Sequence, residues 1–484
     1  MSQRWYMRIA MCIALIFIIS FLTVIRFEQR KIKSFLNPVK ELAEKMHFPD
    51  ESKFSQLVNQ LKEHKKAPVL QLVNNITKWS SDRLPKMNRT YQSIKNVLKN
   101  QIGEALVGKN KMSGQSLISN QLYGSFNSEL VNYDVHIFYY PWYLSEGYDG
   151  RWKHWNHNRL PYWKKGEIDK YSTSSHTPVD DIAADFYPEL GPYSSNDPSV
   201  IKQHMKWIKQ SGAGVAVVTW YPPTMSDDFG DPIDPIFPKL LDAANEEDLK
   251  IAFHIEPYKG RKVVTLRENL KYIVDKYGDH PALFKTERHG KLVPVYYIYD
   301  SYLIPFKEWS RLLSKNGELS IRGTELDGFF LGLLIELKHR FEIKKAGFDG
   351  YYTYFAAEGF TYGSSWKSWR DLSSFARQNS LAFVPSVGPG YIDSQVRPWN
   401  GVNTRGRKNG KYYKAAWKTA INSLPKWISV TSFNEWHEGS QIEPAVEKAA
   451  RGRTYMSYSP KNSTFYLDLT REFVSDFYES KTKL

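Results

Sequence analysis

Between residues 134 and 433 the chain alternates short β-branched and aromatic runs with amphipathic helical stretches, and that alternation restricts its fold more than any other feature. The strand-like runs occupy 134–142, 214–222, 250–258, 293–302, 327–335, 347–355, 381–387 and 427–433. Helical periodicity falls between them at 198–211, 235–248, 261–277, 366–378 and 415–424, and returns after the last run at 466–478. Eight strands interleaved with helices predict an α/β chain closed into a parallel (β/α)8 TIM barrel, its interior filled by Val, Ile and aromatic side chains.

In such a barrel the reactive face lies at the carboxyl ends of the strands. The first run ends in Tyr139, Tyr140, Trp142 and Tyr143, and the second in Trp220 and Tyr221. The third ends in His254, Glu256 and Tyr258, the fourth in Tyr299, Asp300 and Tyr302. The sixth ends in Tyr352 and Tyr354, the seventh in Ser386, Gly390 and Tyr391. For any single ring, packing at the barrel rim is the plain explanation. Together they predict a groove for carbohydrate, whose C–H faces stack on rings.

The eighth run leads directly into Asn434, Glu435, Trp436, His437 and Glu438. A solvated polar loop would also accommodate two glutamates three residues apart. Two carboxyl groups at one strand end, among aromatic walls, are what acid/base cleavage of a sugar linkage requires.

The formal charge of +15 does not mark a nucleic-acid binder. Residues 1–115 carry 20 Lys and Arg against 8 Asp and Glu, whereas the remainder carries 46 against 43. No basic stripe or recognition motif accompanies the carboxylate pair. The one cysteine, Cys12, lies in an apolar segment, so the barrel region has neither disulfide nor Cys-based zinc site. His154 and His157 are spaced i, i+3 without a third ligand that stands out, so no metal is predicted.

Residues 9–25 form an uncharged apolar run that would span ~26 Å as a helix. No small-residue cleavage site follows it, which favours an uncleaved signal anchor over a secretory leader. The domain plan is then a cytoplasmic tail at 1–8, a transmembrane anchor at 9–25, a stem at 26–130 and a catalytic barrel at 131–484. In the stem, Phe54, Leu57, Val58 and Leu61, and again Ile94, Val97, Leu98 and Ile102, repeat with helical spacing. Flanking charge, heavier after the run, would by itself keep the barrel in the cytoplasm. The sequons at Asn75, Asn88 and Asn462 argue for the lumen. Anchor, stem and sugar-handling domain together read as a single-pass type II protein of the Golgi membrane.

Several multi-residue segments occur in order: HWNH at 154–157, DDI and FYPELGPYSS within 180–195, WYPP, HIEPY, YDSY, FDGYYTYF, PSVGPGYID with RPWN within 385–400, and FNEWHEG. Together they resemble family 99 of the glycoside hydrolases, the glycoprotein endo-α-1,2-mannosidases, over about residues 133–480. The resemblance implies a (β/α)8 barrel without metal or cofactor in the chemistry. It implies retaining cleavage of the internal α-1,2 mannose linkage of glucosylated high-mannose N-glycans, with release of a glucosyl-mannose.

The usual retaining scheme places a nucleophile and an acid/base ~5–5.5 Å apart. The resemblance implies a different route, in which the 2-hydroxyl of the reacting mannose attacks C1 and forms a 1,2-anhydro sugar. Glu435 would take the hydroxyl proton. Glu438 would protonate the departing oxygen and then activate water. Trp220 matches the position that stacks the glucose-side sugar, with Tyr221 beside it. Glu256, Tyr258 and Tyr354 would hold the mannose hydroxyls, and Asn434 either Glu435 or a hydroxyl. Trp436, His437 and rim aromatics such as Tyr140 and Trp142 would supply a dry side for Glu438. His154, Tyr391 and Arg397 complete the expected binding set, and residues 224–234 would cover the reducing-side mannoses. Two other classes share parts of this pattern. A Golgi glycosyltransferase would carry an Asp-x-Asp motif, which Asp180-Asp181 and Asp227-Asp228 do not match. A non-catalytic mannan-binding barrel would have no need for both glutamates.

Overall fold

The computed structural model describes residues 131–160, 174–227 and 230–482. The apolar run at 9–25, the stem and the sequons at Asn75 and Asn88 lie outside the described residues. Among the described residues no helix is long and apolar enough to cross a membrane.

The barrel strands are β1 (Asn132–Tyr139), β2 (Ala213–Trp220), β3 (Lys250–Ile255), β4 (Lys291–Ile298), β5 (Phe329–Leu333), β6 (Gly350–Tyr352), β7 (Ala382–Val384, continued by Ser386–Val387) and β8 (Ile428–Val430). They pair in parallel in chain order, and β8 returns to β1 through Val135 opposite Ile428. Closure depends on Pro385, which has no N–H to give a ladder. On one side of it Ala382–Val384 pairs with β6, and on the other Ser386–Val387 pairs with β8. Counted as one interrupted strand, β7 completes an eightfold ring.

The helices are α1 (Pro198–Ser211), α2 (Phe237–Glu246), α3 (Val263–Tyr277), α4 (Phe306–Leu313), α5 (His339–Ala346), α6 (Trp369–Gln378), α7 (Lys411–Asn422) and α8 (Phe465–Thr482). Local chemistry explains their ends. Before α1, the Asp197 carboxylate accepts the Ser199 N–H at 2.8 Å, Pro198 fills the first turn, and Gly212 closes the helix at φ +80°. Helices α4 and α5 were not expected from periodicity, because eight residues give too few repeats of an apolar face. The strand Lys285–Arg288, antiparallel to β4, was also not expected.

Contacts between strands that are not neighbours identify the barrel interior. Phe138 of β1 meets His254 of β3 at 4.8 Å and Tyr352 of β6 at 5.8 Å between ring centroids. His136 Nδ1 pairs with the Tyr297 hydroxyl at 2.7 Å, and His254 Nε2 with the Tyr352 hydroxyl at 2.9 Å. Burial pushes the His136 imidazole down to about 3, so it is neutral at every ordinary pH. The floor beneath the site is therefore an aromatic plug tied together by histidine–tyrosine pairs.

Candidate active site

The strands stop short of the apolar runs, and the surplus residues build the site. After β8, the Glu435 N–H donates to Ser432 Oγ at 2.7 Å, and the Phe433 N–H donates to the Phe138 carbonyl at 2.8 Å. A single 3₁₀ turn, Trp436–Glu438, follows, and the Glu435 carboxylate caps it by accepting the His437 N–H at 3.1 Å. Glu435 and Glu438 thus flank one short turn, near enough that the charge of Glu438 acts on Glu435. Gly439 ends the turn at φ +55°, where a Cβ would lie 2.5 Å from Ile392 Cγ2. That close approach registers the turn against the loop after β7, whose Ile392 N–H donates to the Glu438 carbonyl at 2.8 Å.

The two carboxyls are electrostatically one unit. Burial raises Glu435 well above the usual carboxyl range, and the charge of Glu438 raises it further. Burial raises Glu438 as well, but Arg397 opposes this, with Nη1 3.4 Å from Oε1. Arg397 lowers both carboxyls against this rise, and its guanidinium lies against Glu438.

Tyr140 and Tyr354 meet hydroxyl to hydroxyl beside this pair. Burial, then Glu256, then Glu435 raise the Tyr140 hydroxyl far above its usual range, so it stays a neutral donor. Tyr354 takes φ +56°, held by its N–H to Ser386 Oγ at 2.7 Å and by the Thr431 hydroxyl on its carbonyl. Glu256 accepts from Thr219 Oγ1 at 3.0 Å and lies 3.1 Å from His254 Nδ1, and among the described residues it has no Lys or Arg ion pair. Tyr391 donates to Asp393 Oδ2 at 2.9 Å next to Arg397. Tyr140, Glu256, Tyr354 and Tyr391, from four strand ends, share one face with Glu435 and Glu438 at a fifth.

His154 and Trp142 stand to one side of it. Their rings stack at 4.5 Å and 8°. His154 Nδ1 reaches His437 Nε2 at 3.2 Å, and its Nε2 pairs with Asp227 at 2.8 Å. They line a recess of about 240 Å³ between the loops after β1 and β2.

Four expected sugar contacts are placed otherwise. Trp220 is fully buried, with Nε1 donating to Asp234 at 2.9 Å and its ring 5.8 Å from Phe253. It points into the helix layer, because its neighbour Thr219 already faces Glu256 and strand side chains alternate. Tyr221, just past the strand, is buried at 7% exposure. Tyr258 turns to α3, accepting from Asn269 Nδ2 at 2.7 Å. Trp436 lies under the turn, donating to Glu443 at 2.9 Å. Asn434 touches neither Glu435 nor solvent. Its amide accepts the Tyr140 N–H at 2.8 Å and donates to the Tyr140 carbonyl at 2.9 Å, clamping the end of β1 to that of β8.

Sequence reasoning missed two acids that support the site and gave Tyr299 only as one of the strand-end rings. Tyr299, edge-on to Tyr354 at 5.0 Å, feels the charges of both Glu438 and Glu256. Asp393, 1% exposed, anchors Arg397 at 3.2 Å. Glu443, wholly buried, accepts from Trp436 and from the Tyr193 hydroxyl at 2.8 Å, and lies 3.2 Å from His204. Tyr299 was visible as a strand-end aromatic. For the two acids the available signal was an Asp or Glu inside an otherwise apolar segment.

A closed parallel barrel with a coupled glutamate pair after its last strand, under a roof of neutral tyrosine hydroxyls, is the arrangement of a glycoside hydrolase. The chain belongs to Glycosyl hydrolase family 99, whose sequence pattern matches residues 130–479. It is 51% identical over 351 residues to the glycoprotein endo-alpha-1,2-mannosidase of Xenopus laevis, covering 72% of this chain and 78% of that protein. It is 48% identical to the glycoprotein endo-alpha-1,2-mannosidase-like protein of Homo sapiens, covering 72% of this chain and 76% of that one. Among solved structures, the family 99 endo-alpha-mannosidase of Bacteroides thetaiotaomicron superposes with a TM-score of 0.67 at 44% identity, over 72% of this chain and 99% of that one.

Proposed function

We propose that this hydrolase is a retaining endo-α-1,2-mannosidase that cuts the internal linkage of glucosylated high-mannose N-glycans and releases a glucosyl-mannose. The observation that carries the reading is the pair Glu435 and Glu438 at the two ends of one short turn, with Arg397 3.4 Å from Glu438. In the reaction, the 2-hydroxyl of the bound mannose gives its proton to Glu435 and its oxygen closes on C1. The glycosidic oxygen leaves with the proton of Glu438; Glu438 then takes one from the water that opens the anhydro ring at C1, while Glu435 returns its proton to the 2-oxygen. This order needs Glu438 protonated and Glu435 ionised when the glycan is bound. Tyr140 and Tyr354, neutral donors beside both carboxyls, are placed to hold the ring oxygens.

Incubating the full-length protein with a monoglucosylated high-mannose glycan tests this reading through the disaccharide released and its anomeric configuration. Glu438→Gln should lower turnover at least ~10³-fold while glycan binding survives. A substrate without the 2-hydroxyl on the reacting mannose should be inert. Hydrolysis of it at an appreciable rate would eliminate the anhydro route.

A Golgi membrane anchor at residues 9–25, with the barrel in the lumen, belongs to the same proposal. Its support is the uncharged apolar run and the exposed sequon at Asn462. An endoglycosidase-sensitive mobility shift abolished by Asn462→Gln would place the barrel in the lumen, and its absence at all three sequons would argue against it.

A further inference from the structure

The Asp393 carboxylate sits under the loop after β7, 1% exposed. Its Oδ2 collects three donors: the Tyr391 hydroxyl at 2.9 Å, Asn400 Nδ2 at 2.8 Å and Arg397 Nη1 at 3.2 Å. The same Arg397 nitrogen reaches Glu438 Oε1 at 3.4 Å. One guanidinium nitrogen thus lies between two carboxyl groups, one enclosed and one at the reacting face. The spacing is set by backbone, since Ile392 next to Asp393 donates to the Glu438 carbonyl at 2.8 Å.

An arginine alone in that position would work against a general acid, because a cation at contact distance holds a carboxyl ionised. A fixed counter-charge on the far side of the guanidinium reduces that pull. After the proton has left, the same N–H remains available to the carboxylate that forms. We propose that Asp393 is a positioning residue that holds Arg397 in counter-charge, so that Glu438 can carry the proton it delivers to the departing sugar. This rests on the assignment of Glu438 as the acid.

The other groups facing Glu438 do not supply the balance. They are Glu435 on its own turn, Tyr140 from the end of β1, Tyr299 after β4, Tyr354 after β6 and Tyr391 beside Asp393. Burial keeps all four tyrosines neutral, and Glu435 shares the proton instead of offsetting the cation. Burial chiefly raises Glu438, Arg397 lowers it, and Asp393 raises it again.

The test is the pH dependence of kcat/KM for full-length Asp393→Asn, which keeps the shape and an acceptor for Tyr391 and Asn400. On the glucosylated glycan, the alkaline limb, where the pair loses its last proton, should move about one unit lower, an approximately tenfold loss at the original midpoint. On the corresponding glycosyl fluoride, whose leaving group needs no proton, activity should stay within about twofold. Arg397→Gln should move the alkaline limb the opposite way, to higher pH. An unmoved limb in Asp393→Asn, or an equal loss on both substrates at every pH, would overturn the proposal and leave Asp393 a structural residue. Wild-type hydrolysis of the glycan by Glu438→Gln would instead remove the acid assignment on which the proposal stands.

Discussion

Glu435 is 4% exposed, and as a carboxylate it would have the charge of Glu438 beside it and only one backbone N–H as a donor. Its folded-state pKa lies above the unfolded value, so the folded protein holds this proton more tightly than the unfolded chain does. The contribution to stability is then present below the ordinary carboxyl range and is lost as pH rises through the folded pKa. Replacing the group by its uncharged isostere removes that loss. Glu435→Gln should accordingly unfold at a higher temperature than the wild type near pH 7.5, by about 1.4 kcal/mol for each unit of displacement. The gap should close near pH 4. A variant that melts lower at both values would mean that the buried charge is better satisfied than one N–H allows. An inactive enzyme more stable than its parent is the expected signature of a site built for chemistry at the expense of stability.

At the scale of elements, side-chain direction follows the period of the strand. Along β2, Thr219 faces Glu256 inside the barrel while Trp220 faces Phe253 and Asp234 in the helix layer. An aromatic ring at a strand end is legible in the sequence, but the face it takes is not, because a shift of one residue in the strand's end reverses it. Tyr258 and Trp436 were misplaced for a related reason. Each follows a turn, and the turn's geometry decides whether the ring meets the groove, α3 or the support below. Trp220→Phe should leave the KM for the glycan within about twofold while lowering stability by about 1–3 kcal/mol, since the Asp234 carboxylate loses a buried donor. Titration of product formation beside a thermal melt checks both. A KM raised tenfold with an unchanged melt would return Trp220 to the sugar. Helices α4 and α5 were illegible for want of length, whereas α1 announces itself with Asp197, Pro198 and Gly212.

At the scale of the whole molecule, the barrel divides its charges between its two ends. Opposite the active face, Arg322 and Arg288 bridge Asp327 and Asp349 at 2.6–3.0 Å below β5 and β6. Arg322 also donates to the Leu313 carbonyl at 2.8 Å and to the Gly328 carbonyl at 2.7 Å, with its side chain only 4% exposed. Removing one partner of such a cluster strands the others without water. Arg322→Met should cost about 3–5 kcal/mol in denaturant unfolding and leave kcat of the remaining folded enzyme unchanged. A matching fall in kcat would show that the two ends are coupled. From sequence alone the number and order of the strands followed, with the last strand as carrier of the carboxyl pair, because hydrophobic period and an i, i+3 spacing are local properties. Tertiary structure decided that Arg397 stands between Asp393 and Glu438, that Asn434 fastens β8 to β1, and which rings look outward. Those outcomes depend on how loops far apart in the chain are brought into register when the ring of strands closes.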